Sequence, residues 1–459
     1  MANLLGHRLS QSKEIEILID KLVGEIQGLS SEVPATQSPR EDCEENNNYW
    51  VEEAGKNRGR ALFYPYIGTG MGRGPYVELE DGSVKLDLIN GIGIHLLGHS
   101  HPEVIRAALR GSLSDMLVQG NLQANREYVL LAKKLVEIAG RKSRLKNVWL
   151  TTSGSMANEN ALKVCRQKTN AARKIIAMKS AFAGRTTMMA EVTDNPGFKQ
   201  GLPEYHEVLR IPFYDKHNPK SSEQALNELK DHVSKNEGDV CCFTFEPMQG
   251  EGGYNVAPRQ YFMPMLEFCR AKGIPVWVDE VQTFCRTGQF FAFETLDFGD
   301  YVDVCTVAKT LQNGATLWTE EFNPNPGLIA GTFAGSTPTL SVGLKILEIL
   351  DQENYLGSTG KIAKIHNEFV GMLNRLNETT CEGLLKDAGG LGLMVAVTPL
   401  DGSRDKMNEL LKVMYKNGLM TFGCGRGPFR LRFLLPAVMT SEDIACAGRI
   451  IEKSILEMA

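Results

Sequence analysis

Hydrophobic and polar positions follow two rhythms along this chain. Over residues 14–27 the apolar side chains Ile15, Leu18, Ile19, Leu22, Val23 and Ile26 recur at helical spacing, which predicts a short amphipathic helix docked through its apolar stripe. It reads as a packing arm. The polar stretch after it carries two prolines and few apolar anchors, which predicts a linker over residues 30–48. Further on, "YVELEDGSVKLDLI" alternates with period two and predicts a hairpin turning at Asp81-Gly82. The glycines of "GTGMGRG" just before it have no strand ahead and no helix behind, so they do not form a dinucleotide fingerprint.

Beyond His101-Pro102 short continuous apolar runs alternate with helix-period segments: "NVWLTTSG", "KIIAMKS", "DVCCFTFEP", "IPVWVDEVQ" and "YVDVCTVAKT" are the strand-like ones. Such runs, buried on both faces and separated by helices, predict an α/β domain with a parallel or mostly parallel sheet. It is placed at residues 103–345. The last hundred residues mix helical "KMNELLKVMYKNG" with strand-like "GLGLMVAV" and "FRLRFLL", which predicts a smaller α/β unit. The division is then an arm and linker at 1–50, a first part of the small domain at 51–102, the large domain, and the rest of the small domain at 346–459.

Composition removes several function classes. A net charge of −5 with both signs interspersed offers no basic face for nucleic acid and no polybasic anchor for a membrane. Ten cysteines occur singly except for Cys241-Cys242, with no pairing at zinc-site spacing, so no metal centre is expected. They fit a reducing compartment. With no membrane-length apolar run and no signal core, a cytoplasmic protein is expected.

In parallel sheets the ligand sits outside the carboxyl ends of the strands, so the residues just past each strand carry the chemistry. Those residues are Ser153, Gly154 and Ser155; Phe182 with Gly184, Arg185 and Thr186; Glu246 with 249–253; Asp279 to Gln282; and Lys309. Small hydroxyl residues at a helix start suit a plain N-cap or a phosphate. Asp279 ends an apolar strand, where an unpaired carboxylate would be heavily desolvated, so it needs a cationic partner, either an arginine or a pyridinium nitrogen. Lys309 at the mouth of an interior strand is a snorkelling side chain or a working amine, because desolvation lets a lysine lose its proton and attack a carbonyl. Phe182 is a core residue or the cover of an aromatic ring. Phosphate cradle, ring stack, ring-nitrogen partner and amine together describe one ligand.

These residues resemble the class III pyridoxal-phosphate aminotransferases of fold type I. "GHSHPEV", "SGSMANENALK", "FAGRT", "EPMQGEGG", "VDEVQTFCRTG", "AKTLQNG" and "GTFAGST" stand in that family's order from about Tyr64 to the C-terminus. The resemblance implies a large domain with a seven-stranded type of sheet, a smaller α/β domain, and pyridoxal 5'-phosphate as cofactor. It implies Lys309 as the Schiff-base lysine and proton shuttle, Asp279 on the pyridine nitrogen, Gln282 on the phenolic oxygen and Phe182 on the ring face. It also implies Ser153, Gly154 and Ser155 around the phosphate, Glu246 among the cofactor-binding residues, and Thr332 reaching the phosphate of a neighbouring subunit in a homodimer.

For substrates, the resemblance implies that Arg185 receives a carboxylate, that Arg432 forks onto the α-carboxylate of glutamate or 2-oxoglutarate, and that Glu251 pairs with this arginine as a gate; Arg430 lies close enough to compete for the register. Ile92 stands where ornithine-specific members carry tyrosine, which points away from ornithine. Ala183 replaces a bulkier residue and leaves room for a larger donor, while Met156 stands where glutamate is common. The expected reaction moves an ω-amino group from a 4-aminobutyrate-, lysine- or acetylornithine-like donor to 2-oxoglutarate by a ping-pong course. A racemase or aminomutase of the same family would need no keto acid, and a degenerate homologue acting as a binding partner would not need the intact Lys309 and Asp279.

Overall fold

The computed structural model describes residues 4–459. The amphipathic N-terminal helix runs Lys13–Ser31, longer than its apolar stripe indicated, with Ser12 capping the Ile15 N–H at 3.4 Å. It buries Ile19 and Val23 and packs against the helix Pro102–Gly111, where Arg110 meets Glu16 at 2.5 Å. The linker expected over 30–48 is corrected. The chain stays helical to Ser31, Gln37 pairs with Val84, and a second helix occupies Glu44–Arg58. That helix buries only Asn47, so no apolar stripe announced it. Glu44 and Glu45 in its first turn, Lys56 and Arg58 in its last, and the left-handed Gly59 beyond them stabilise its two ends.

The hairpin is present. β1 (Gly68–Arg73), β2 (Tyr76–Leu79) and β3 (Val84–Asp87) form an antiparallel sheet, with Gly82 at φ +71° in the turn. A strand from near the C-terminus, Leu419–Met420, joins β3 in parallel and ties both ends of the chain into one layer.

The central sheet has seven strands: β4 (Asn147–Thr151), β5 (Lys174–Met178), β6 (Val208–Ile211), β7 (Val240–Phe245), β8 (Val276–Asp279), β9 (Val304–Val307) and β10 (Gly314–Trp318). Their order is β4-β10-β9-β8-β7-β5-β6, and only β10 runs antiparallel to its neighbours. Every residue of β7, β8 and β9 is buried, as their unbroken apolar sequences require. β6 and β10 were not apparent in the pattern. β6 is a four-residue edge strand, and β10 begins at Asn313-Gly314, a pair that reads as a turn.

The C-terminal unit carries β11 (Leu385–Leu391), β12 (Met394–Pro399), β13 (the strand Leu419–Met420), β14 (Phe422–Cys424) and β15 (Arg430–Leu434). Four of these form an antiparallel sheet in the order β11-β12-β15-β14. The helix Thr337–Gln352 runs through residue 345, where the large domain was expected to end. All ten cysteines are free thiols. Among the described residues no helix is long and apolar enough to cross a membrane, and no group of side chains is arranged to hold a metal.

Candidate active site

The carboxyl ends of β4, β8 and β9 open into one cavity of about 650 Å³, within the range that holds a small cofactor. Ser153, Gly154 and Ser155 line it at the start of the helix Gly154–Lys168. The Ser153 hydroxyl accepts the Met156 N–H at 3.3 Å, which leaves the preceding N–H groups of the first turn for a ligand. Two glycines make the concavity possible. A Cβ on Gly154 would lie 2.7 Å from Val281, and one on Gly184, at φ +127°, would overlap Ser155 Oγ.

Asp279 closes β8 and is buried. Its Oδ1 accepts the Val281 N–H at 2.9 Å and its Oδ2 accepts Asn158 Nδ2 at 2.7 Å. No cationic side chain pairs with it among the described residues, and burial raises its pKa to about 6 against the pull of those two donors and of Lys309. Asn158 also donates to the Ala183 carbonyl at 2.7 Å and keeps Oδ1 unpartnered. The sequence reading missed Asn158. The available signal was its position one helical turn after Gly154, on the face that meets the cavity.

Lys309 follows β9 on a short 3₁₀ turn and is half-buried in the cavity wall. Its φ of +50° is a left-handed conformation that a non-glycine residue adopts at a cost, the kind of strain concentrated at functional sites. Burial, then the charges of Arg286 and Arg432, lower its pKa to about 8, with Glu251 and Asp279 opposing.

Gln282 lines the cavity with Oε1 unpartnered among the described residues and packs against Gly250, where a Cβ would lie 2.8 Å from that oxygen. Phe182 presents a half-buried ring, and its N–H donates to Glu246 Oε1 at 3.0 Å. The other Glu246 oxygen accepts the Gly250 N–H at 2.9 Å. Glu246 thus joins the ring-bearing loop to the loop of Glu251. Burial, and then Asp279, push its pKa up to about 8.

Glu251 reaches from the cavity wall to Arg432, with Oε1 2.6 Å from Nη1. Arg432 is 1% exposed, and its Nε has no partner among the described residues. Arg430 faces elsewhere. Its guanidinium is engaged by the carbonyls of Gly253 at 2.8 Å, Asp387 at 2.6 Å and Ala396 at 3.1 Å.

Ile92 lines the opposite side at φ +58° and is 41% exposed. Arg185 lies at the cavity's edge with its guanidinium 3.9 Å from the centre of the Phe198 ring. Ala183 also lines the cavity, whereas Met156 does not. Thr332 is the one expected cofactor-binding residue outside the cavity. It is exposed beside Phe333, itself 54% exposed. Gln312 and Asn313, unremarked in the sequence, complete the wall behind Lys309.

Comparison with known proteins gives one consistent relationship. The family described as aminotransferase class-III matches residues 64–455. A probable 4-aminobutyrate aminotransferase of Bacillus subtilis (strain 168) is 30% identical over 401 residues, covering 80% of this chain and 88% of that protein. An acetylornithine aminotransferase of Methanocaldococcus jannaschii is 30% identical over 387 residues, with 81% and 89% covered. Among solved structures, a lysine aminotransferase from M. tuberculosis has the same fold at TM-score 0.78 and 19% identity, covering 89% of this chain and 100% of that one. An ornithine aminotransferase from Toxoplasma gondii ME49 gives a TM-score of 0.74 at 24% identity, with 86% and 91% covered.

Proposed function

Because the chain belongs to the class-III aminotransferase family, whose members depend on pyridoxal phosphate, we propose that it moves an ω-amino group from a 4-aminobutyrate-, lysine- or acetylornithine-like donor to 2-oxoglutarate. The observation that carries this reading is the pairing of a buried carboxylate lacking a cation, Asp279, with an amine of lowered pKa, Lys309, in one cavity. The cofactor fits this donor set. The Asp279 carboxylate, which has no cationic partner among the described residues, suits a ring N–H, the NH2 of the Gln282 amide in the cavity wall can donate to a ring oxygen, and the turn at 153–155 suits a phosphate.

When bound there, pyridoxal phosphate supplies an aldehyde and an electron sink. Lys309 would hold the cofactor through Nζ and would carry the proton to and from the substrate Cα. Asp279 would keep a proton on the ring nitrogen, Gln282 would donate to the ring oxygen, and Phe182 would pack against the ring. Ser153, Gly154 and Ser155 would hold the phosphate, and Glu246 ties the Phe182 loop to the Gly250 loop. Arg432 takes the α-carboxylate of the keto acid as a planar fork, and Glu251 neutralises that fork while the donor's amine is bound. Arg185 meets the distal carboxylate, and Ile92 shapes the donor side. The exposure of Thr332 supports a homodimer in which each subunit lends this hydroxyl to the other's phosphate. The ten free thiols support a cytoplasmic location.

A panel of ω-amino donors with 2-oxoglutarate should yield glutamate. In Arg432→Gln the KM for 2-oxoglutarate should rise about a hundredfold, the worth of two charge-assisted hydrogen bonds, while the cofactor's visible absorbance is kept. Loss of the absorbance with an unchanged KM would place Arg432 at the cofactor instead. A second expectation concerns pH. Only the free amine of Lys309 attacks the aldehyde, and with its pKa near 8 the apoenzyme should take up cofactor about tenfold faster at pH 9 than at pH 7. A stopped-flow absorbance trace with a flat profile over that interval contradicts the lowered pKa.

A further inference from the structure

Arg286 lies behind the cavity, is 1% exposed, and has no role in the reaction just described. A buried guanidinium ordinarily meets a carboxylate, and none pairs with this one among the described residues. Its hydrogen bonds go to backbone carbonyls from two distant segments. Nη1 donates to the Gln282 carbonyl at 2.8 Å and to that of Phe284 at 3.3 Å, while Nη2 donates to the Gly93 carbonyl. The fit against Gly93, at φ +83°, leaves no room for a side chain. A Cβ there would sit 2.7 Å from Nη2 and 2.9 Å from Cζ.

The segment so held is strained. Asn90, Gly91, Ile92 and Gly93 have φ of +57°, +63°, +58° and +83°, four left-handed residues in succession, and for the β-branched Ile92 this is a costly backbone. Three groups hold it. Asp87 Oδ1 accepts the N–H groups of Ile89 at 3.1 Å and Asn90 at 2.7 Å, Gln312 Nε2 donates to the Ile94 carbonyl at 2.9 Å, and Arg286 takes Gly93. Of these, Arg286 alone also grips the backbone of the cofactor-facing Gln282.

We infer that Arg286 is a positioning residue: by sharing one guanidinium between the carbonyls of Gln282 and Gly93, it sets the ring-oxygen partner and the donor-facing Ile92 wall as one rigid unit. The inference rests on the function proposed above. It needs arginine, because a lysine at this depth could not fork between two acceptors and would shed its proton on desolvation, whereas the guanidinium stays charged. The uncompensated charge has a second consequence. The charged groups acting on Lys309 are Arg286, Arg432, Glu251 and Asp279, and after burial Arg286 contributes most to keeping that amine unprotonated.

The test uses the full chain as wild type, Arg286→Lys and Arg286→Gln, each reconstituted with pyridoxal phosphate. A wild type that takes up no cofactor refutes the proposed function and leaves Arg286 aside. With a loaded wild type, both variants should raise the donor KM by about tenfold or more, the effect of a wall displaced from its productive geometry. The pH midpoint of cofactor uptake by the apoenzyme should move upward in Arg286→Gln, where the charge beside Lys309 is lost. An Arg286→Gln protein with the wild-type midpoint and donor KM overturns the inference. So does loss of a cooperative apoenzyme melt in both variants, which would assign Arg286 to the core alone.

Discussion

Lys309→Ala is expected to lower turnover by about four orders of magnitude or more, because one substitution removes both the nucleophile and the proton carrier. Proton transfer by a positioned base alone contributes up to about 10⁴-fold, and no other lysine lines the cavity to replace it. The variant should fold. The wild-type amine is half-buried and has its charged form penalised by burial, so alanine removes that cost as well as a function and leaves the backbone conformation as it is. Glutamate formation against a full donor panel measures the loss, and an apoenzyme melt no lower than wild type shows that the loss is chemical. Activity within tenfold of wild type would refute the role.

Asp279→Asn is expected to cost about two hundred- to several thousandfold in kcat/KM, corresponding to the roughly 3–5 kcal/mol lost when one member of a buried ion pair is removed. Asparagine keeps the shape of the side chain and removes the charge that holds a proton on the ring nitrogen. The apoenzyme gives an independent sign. Burial raises the Asp279 pKa from 3.8 to about 6, so its neutral form is the one the empty cavity favours. That contribution to stability is present below the ordinary carboxylate range and is lost as pH rises through about 6. Apo Asp279→Asn should therefore gain on apo wild type as pH rises from about 4 to about 7, and the gain should vanish in the loaded proteins, where the cation pairs the carboxylate. Parallel melting curves for the two apoproteins across this range would contradict the reading.

The parts of the molecule legible in the sequence are those governed by short-range pattern. β7, β8 and β9 were readable because strands buried on both faces have no polar positions, and once they were placed, Asp279 and Lys309 followed as the residues where each strand leaves the core. The alternation of β15 placed Arg430 and Arg432 on the same side of a strand, two residues apart, so the pattern could not separate them. Only the packing does, by engaging Arg430 with carbonyls and Arg432 with Glu251. The helix Glu44–Arg58 was missed because its stability lies in its end charges and cap, not in an apolar face.

Contacts between remote segments were the least legible. Arg286 meets Gly93 across 193 residues of sequence and Gln312 meets Ile94 across 218, each through a side chain bonded to a backbone carbonyl, an interaction that asks nothing of the residue type at the accepting end. Asn158 is similar, a polar residue on a helix whose significance depends on Asp279 lying 121 positions away.

The central claim is that the Nζ of Lys309 carries the cofactor, and borohydride reduction of the reconstituted enzyme followed by peptide mapping tests it most directly. The account predicts a single phosphopyridoxyl adduct, on the peptide containing Lys309. An adduct on any other lysine, or none on a protein that has taken up pyridoxal phosphate, would contradict it.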